Sequence, residues 1–353
     1  MPKVSLPRSK AIAFIPIYLV FLFIFFEASS RLIWKLTFGV PFFSPEKMYY
    51  VFYPELKSVE KRRIPAHDGQ IDILLLGGSV LNPNFGNIAR VLEERIAYET
   101  KKPVRIYNLA KSAHSSADSY YKYRHLMDKH FDLVIFYHGI NEVRANNVPP
   151  SVFKPDYSHY SWYKQIVLLE KNEGIIRYTT LPFTLNLLLI QVQEGLGLAN
   201  TVPKHWPKPA WVEYGSSIKS AKSFEENLKK ILAIAAAKQE KVLLMTFAYY
   251  VPADYTRERF TAKKLDYSIH GAPIEKWGKP ENVVAGIVAH NQVIKAMSKD
   301  AKNTLFVDQD ELMPKRGDYF NDICHFTYKG SEKFVDNIFP VVLRALREAD
   351  VAL

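Results

Sequence analysis

Cysteine is nearly absent: Cys324 stands alone in 353 residues, which excludes an internal disulfide framework and any cysteine-rich metal site. The fingerprint of a dinucleotide-binding fold is missing as well. The first glycine-ended apolar run closes on Gly77-Gly78-Ser79, without Gly-x-Gly-x-x-Gly spacing, and the second ends in Asn108 rather than an acid. There is no internal repeat. The formal net charge of +11 resembles a nucleic-acid footprint until it is located: residues 1–35 hold a net +4, and the remaining +7 is spread over 318 residues. The densest later run, Glu60-Lys61-Arg62-Arg63, is too short to form a binding stripe, so no nucleic-acid partner is expected. A basic surface facing anionic lipid or an acidic polymer fits this distribution better.

What the sequence does have is an apolar N-terminal run. Residues 11–26 are sixteen apolar residues in succession, Pro16 and Tyr18 included, behind Lys3, Arg8 and Lys10. At 1.5 Å per residue this falls slightly short of a ~30 Å hydrocarbon core, but Leu32, Ile33 and Trp34 let a tilted helix complete the span past Glu27. The run exceeds an ordinary signal-peptide core, which favours a retained anchor over 11–34 against cleavage after Ala28-Ser29-Ser30. Clustering of the first three basic residues favours a cytoplasmic N-terminus and an extracytoplasmic bulk, in the periplasm or at the cell surface, although Arg31, Lys35 and Lys47 follow closely. The expected organisation is a basic N-terminus at 1–10, a single-pass anchor at 11–34, a Pro- and aromatic-rich stalk or strap at 35–69 and a domain at 70–353.

Within that domain, short apolar runs at 71–76, 104–109, 133–137, 242–247 and 304–307 read as strands buried on both faces. Helical patterns at 88–98, 117–127, 224–239, 283–298 and 328–345 alternate with them. The alternation predicts an α/β fold, a doubly wound, mostly parallel sheet with helices on both faces. Residues 148–220 break the rhythm and read as a long insertion forming part of a substrate cleft.

In such a sheet ligands bind beyond the carboxyl ends of the strands. Four blocks lie there or close the chain. Gly77-Gly78-Ser79 puts a hydroxyl on a sharp strand-to-helix turn, where it can act as a nucleophile beside its own N–H. The small polar loop 108–116 contains Ala113, and His138-Gly139-Ile140-Asn141-Glu142 offers close backbone approach at Gly139 and an amide donor at Asn141. Asp322-Ile323-Cys324-His325 spaces a carboxylate and an imidazole so that one ring nitrogen meets the acid and the other is free. Taken alone, Asp-x-x-His equally suits a surface salt bridge or two ligands of a metal site.

Together the blocks resemble, in order and position, those of the SGNH hydrolases, the GDSL family of esterases and lipases, and in particular their bacterial membrane-anchored forms. The resemblance covers about residues 70–345 and departs from the pattern at Ala113, where the family has glycine, and at Glu142, where many relatives have aspartate. It implies a serine hydrolase acting on carboxylic esters without a metal or organic cofactor. Ser79 would be the nucleophile, His325 the base and Asp322 its partner, with an oxyanion hole of Ser79, Ala113 and Asn141 supported by Gly78 and Gly139. Alanine supplies the hole's N–H as well as glycine does provided the backbone avoids positive φ. The expected substrates are O-acyl esters of extracytoplasmic carbohydrate, with Tyr249 and Tyr250, and Trp206, Trp211 and Tyr214 in the insertion, as candidate sugar contacts. A lipase-type acyl hydrolase and a catalytically silent assembly or binding protein in surface polysaccharide production are the alternatives.

Overall fold

The computed structural model describes residues 8–66, 68–198, 201–202 and 206–351. It divides into two units, one running up to Lys57 together with Trp162–Thr201, the other comprising Ser58–Ser161 and the chain from Val202 onward. Five strands are present: β1 (Ile71–Gly77), β2 (Val104–Asn108), β3 (Leu133–Tyr137), β4 (Lys241–Met245) and β5 (Thr304–Val307). The longer helices are α1 (Arg8–Phe38), α2 (Ile88–Thr100), α3 (Ser116–Arg124), α4 (Ser161–Ile176), α5 (Leu181–Gly195), α6 (Ser220–Ala237), α7 (Pro280–Asp300) and α8 (Tyr328–Val351).

In the larger unit all five strands are parallel, in the order β2-β1-β3-β4-β5. The inner strands are buried almost throughout, whereas β2 and β5 are partly exposed edges, so the inner ones carry the unbroken apolar runs. Register places Ile73 between Ile106 and Leu133, and Ile135 between Leu75 and Leu243. These side chains share one core with Leu92 and Ile96 of α2 and Val335, Ile338 and Val342 of α8. Helices α2 and α8 pack together; α6 packs against both α3 and α7, with Phe224 meeting Phe136 from the sheet. The doubly wound fold expected from the sequence is the fold found. Because the chain leaves β1 to one side for β2 and to the other for β3, its topological switch point lies between the carboxyl ends of β1 and β3.

In the smaller unit, Phe14–Phe38 is a 25-residue stretch of α1, about 37 Å at helical rise, long and apolar enough to cross a membrane. Lys3 and the rest of residues 1–7 lie outside the described residues. Large apolar side chains between Phe14 and Phe26 are exposed along α1, and its later turns pack on α5. Ser30 Oγ lies 2.7 Å from Thr180 Oγ1 and 2.8 Å from Thr184 Oγ1, and Trp34 Nε1 donates to Thr184 Oγ1 at 2.8 Å. Glu27, an acid inside an apolar run, pairs with Arg31 at 2.5 Å and accepts from Thr179 Oγ1 at 2.7 Å, Thr180 N at 3.0 Å and Leu181 N at 3.1 Å. It thereby satisfies the free N–H groups that open α5. Pro182 sits in that first turn, where its missing N–H costs no helical bond. Much of the expected insertion is thus regular helix, α4 and α5.

Candidate active site

The loop after β1 begins with Gly78 in extended conformation (φ −91°, ψ −152°), and Ser79 opens a single 3-10 turn to Leu81. A Cβ at position 78 would stand 2.7 Å from Asn141 Nδ2, and one at position 139 would stand 2.5 Å from Phe247 Cβ. Both glycines are required by close approach rather than by φ.

His325 Nε2 lies 2.8 Å from Ser79 Oγ, and its Nδ1 lies 2.8 and 2.9 Å from the two Asp322 oxygens. Asp322 also accepts the N–H groups of Cys324 at 3.0 Å, His325 at 2.9 Å and Ala272 at 2.9 Å. Burial pushes this carboxyl up, but the neighbouring imidazole and the hydrogen bonds outweigh it and hold the group below its ordinary value. An ionised Asp322 keeps a proton on Nδ1 and leaves Nε2 to accept from the serine. The Phe85 ring, stacked on His325 at 4.7 Å between centroids and 20° between planes, restrains the imidazole further.

Asp322, Cys324 and His325 also lie close enough together to hold an ion by distance alone. The Asp322 oxygens are already taken by four N–H donors, and burial pushes the Cys324 thiol well up, away from the thiolate a metal would need. The donor set suits an oriented histidine better than a metal.

Asn141 follows β3. Its Oδ1 accepts from Arg144 at 2.6 Å and Trp277 Nε1 at 3.1 Å, while Nδ2 donates to His114 O at 2.8 Å. The two donors on Oδ1 fix which way the amide faces, with Nδ2 beside Gly78. Ala113 adopts φ +64°, so the condition under which alanine would equal glycine here is not met. The loop is pinned on both sides of it. His114 N donates to Lys111 O at 3.2 Å, and Ser115 caps α3, its Oγ accepting from Ala117 N at 3.2 Å while its own N–H reaches Asp118 at 2.8 Å. Among the described residues no protein acceptor takes the N–H of Ser79 or Ala113. Glu142 turns inward, wholly buried, accepting from Ser116 N, and burial pushes its carboxyl up to about 7.

Ser79, Ala113, Asn141, Asp322 and His325 line one cleft of about 460 Å³, within the range of small-ligand sites. Tyr249 and Tyr250 are not brought to it. Tyr250 Oη is tied to Asp266 at 2.9 Å with its ring against Tyr267 and Phe320, and Tyr249 lies under Lys315. Among the described residues of 148–161 and 202–220, Trp206, Trp211 and Tyr214 included, none lines the cleft, so the sugar-stacking and cleft-wall roles expected of them find no support. Sequence reasoning missed Phe85, Arg144, Lys276 and Trp277, all of which line it. Arg144 was signalled by its place three residues after Asn141 on one helical turn. Phe85 and Trp277 come from Pro- and Gly-flanked turns, whose direction no periodicity reports.

No family model matches the chain, and no curated protein does. Solved structures similar to it include a GDSL-like lipase from Bacteroides thetaiotaomicron, 14% identical with a TM-score of 0.43, covering 86% of this chain and 99% of its own. An acetyl xylan esterase, AlAXEase, is 13% identical with a TM-score of 0.43 and covers 77% of this chain and 100% of its own. The acetylxylan esterase Axe2 from Geobacillus stearothermophilus is 12% identical with a TM-score of 0.40, covering 78% and 94%. The chemistry of the site rests on its own geometry.

Proposed function

We propose that this protein is a serine esterase of SGNH/GDSL type, tethered by α1, that hydrolyses or transfers short O-acyl groups on extracytoplasmic carbohydrate. The observation that carries this reading is the 2.8 Å contact between Ser79 Oγ and a His325 whose far nitrogen is held by an ionised Asp322. His325 Nε2 takes the serine proton as Oγ attacks the ester carbonyl, and Asp322 stabilises the imidazolium that forms. The tetrahedral oxyanion is met by the N–H groups of Ser79 and Ala113 and the second amide hydrogen of Asn141, worth about 3–4 kcal/mol per donor lost. His325 then protonates the leaving alcohol, and water or a second alcohol attacks the acyl-serine with the imidazole again as base. The modest cleft and its polar walls, Asn84, Arg144, Lys276 and Asn321 among them, favour a short acyl group on a polar alcohol over a lipid chain.

The test is labelling with a fluorophosphonate probe alongside hydrolysis of an aryl acetate. Wild type should be labelled and active, and Ser79→Ala neither. Equal labelling of the two, or no labelling of a folded wild type, would overturn the reading and leave a silent assembly or binding protein on this fold. For the tether, the full-length protein should stay with membranes through an alkaline carbonate wash; release would make α1 something other than an anchor.

A further inference from the structure

The cleft carries an excess of positive charge. Arg144 and Lys276 both line it, and among the described residues the one carboxylate on its walls, Asp322, is committed to His325. Arg144 is buried, its guanidinium 2.6 Å from Asn141 Oδ1 and 6.0 Å from the Trp277 ring centroid. Lys276 is half-buried, with its ammonium 6.0 Å from the same centroid. Its neighbour Glu275 does not neutralise it, being bonded to Tyr255 Oη at 2.8 Å and to Arg257 at 3.3 Å. Among the described residues, no carboxylate lies within 4 Å of Lys276 Nζ. Phe85 and Ile269 supply uncharged walls in the same cleft.

Two cations in a partly desolvated cleft with one committed acid raise the local potential and favour an incoming anion. We infer that Lys276, assisted by Arg144, forms a subsite for an anionic group on the alcohol part of the substrate, so that the preferred ester is an O-acyl group on an acidic sugar. This rests on the esterase reading and narrows it. The shared chemistry is a carboxylate or a phosphate held by an ammonium, and the two sources are separated by the substrates chosen below.

The experiment compares kcat/KM of the full-length protein in detergent micelles on the methyl glycosides of mono-O-acetyl glucose, mono-O-acetyl glucuronic acid and mono-O-acetyl glucose 6-phosphate. One of the anionic esters should exceed the neutral one by about tenfold or more, the scale of one charged hydrogen bond; which one identifies the anion. Lys276→Gln should bring the ratio close to one, Lys276→Arg should restore most of it, and added salt should shrink it. Lys229→Gln, on the outer face of α6 beside Glu225, should leave the ratio as in wild type. Equal kcat/KM on all three esters, or a preference that survives Lys276→Gln, overturns the subsite while Ser79-dependent hydrolysis of an aryl acetate leaves the esterase reading standing. If no ester is hydrolysed at all, the esterase reading falls. Calorimetric titration of Ser79→Ala with methyl glucuronide and with glucose 6-phosphate then decides the subsite, and absence of Lys276-dependent binding overturns it.

Discussion

Replacing Asn141 in two ways separates the structural task of its amide from the oxyanion role proposed for it. Asn141→Ala removes the acceptor of Trp277 Nε1, 3.1 Å away on a side chain 2% exposed, and of Arg144, 2.6 Å away on one 4% exposed. Each buried donor left without this acceptor costs about 1–3 kcal/mol, so the variant should lose roughly 2–6 kcal/mol of stability. Asn141→Asp keeps an oxygen for both donors and gains a charge-assisted bond to Arg144. Against that, its second oxygen faces His114 O, where Nδ2 now donates at 2.8 Å. The two effects oppose each other, and the net loss should stay below about 2 kcal/mol. Both variants lack the second amide hydrogen proposed to meet the oxyanion, so both should lose about 10²–10³ in kcat with little change in KM. Urea unfolding followed by tryptophan fluorescence reads the first quantity, and steady-state hydrolysis of an aryl acetate the second. The diagnostic result is an aspartate variant more stable than the alanine variant yet equally slow. An aspartate variant within tenfold of wild-type kcat would refute the oxyanion role, and an alanine variant as stable as wild type would refute the structural one.

Asp322→Asn should be slower than wild type but milder than His325→Ala, because the ring stays in place; unchanged turnover would make the carboxylate a bystander. The folded-state value of Asp322 lies below its unfolded value, so its contribution to stability is present above pH ~3.9 and is lost as pH falls through the lowered value. Glu142 has the opposite sign: raised to about 7 from 4.5, it binds a proton more tightly when folded, and stability should fall between pH 4.5 and 7 by on the order of 3 kcal/mol. Glu142→Gln should flatten that slope in urea midpoints taken at pH 5 and pH 8, and an unchanged slope would contradict the assignment. Ala113→Gly should relieve about 1–2 kcal/mol of left-handed strain, less ~0.4–1 kcal/mol for a freer unfolded chain, and keep the rate within a few-fold. A net loss of stability would count against the strain. Ala113→Pro does not delete the N–H cleanly, because proline is locked near φ −65° and the site requires +64°.

Local features of this chain were legible and distant ones were not. The inner strands announced themselves because burial on both faces leaves only apolar residues, as at Leu133–Tyr137. The pairing of Asp322 with His325 needs only a turn of three residues, and Gly78 and Gly139 mark close approaches that only glycine permits. Ala113 concealed its conformation, since an alanine letter carries no sign of positive φ. Trp277 reaches Asn141 across 136 positions, and α1 meets α5 across about 150, and no local pattern encodes either. Tyr249 and Tyr250 misled for a related reason: a tyrosine pair after a strand reads the same whether it faces a ligand or packs against Tyr267 and Phe320.

Glu27 gives the smaller unit a timetable. Its partners in Thr179–Leu181 follow it by 152 to 154 residues. At a synthesis rate of ~5–20 residues per second, α1 exists for roughly 8–30 s before those partners have been made. During that interval the carboxylate has Arg31, one turn further along the same helix, as its local counter-ion. Helix α1 is therefore completed only when Leu181 has been made, before α6, α7 and α8 exist, and until then its one acid has Arg31 alone.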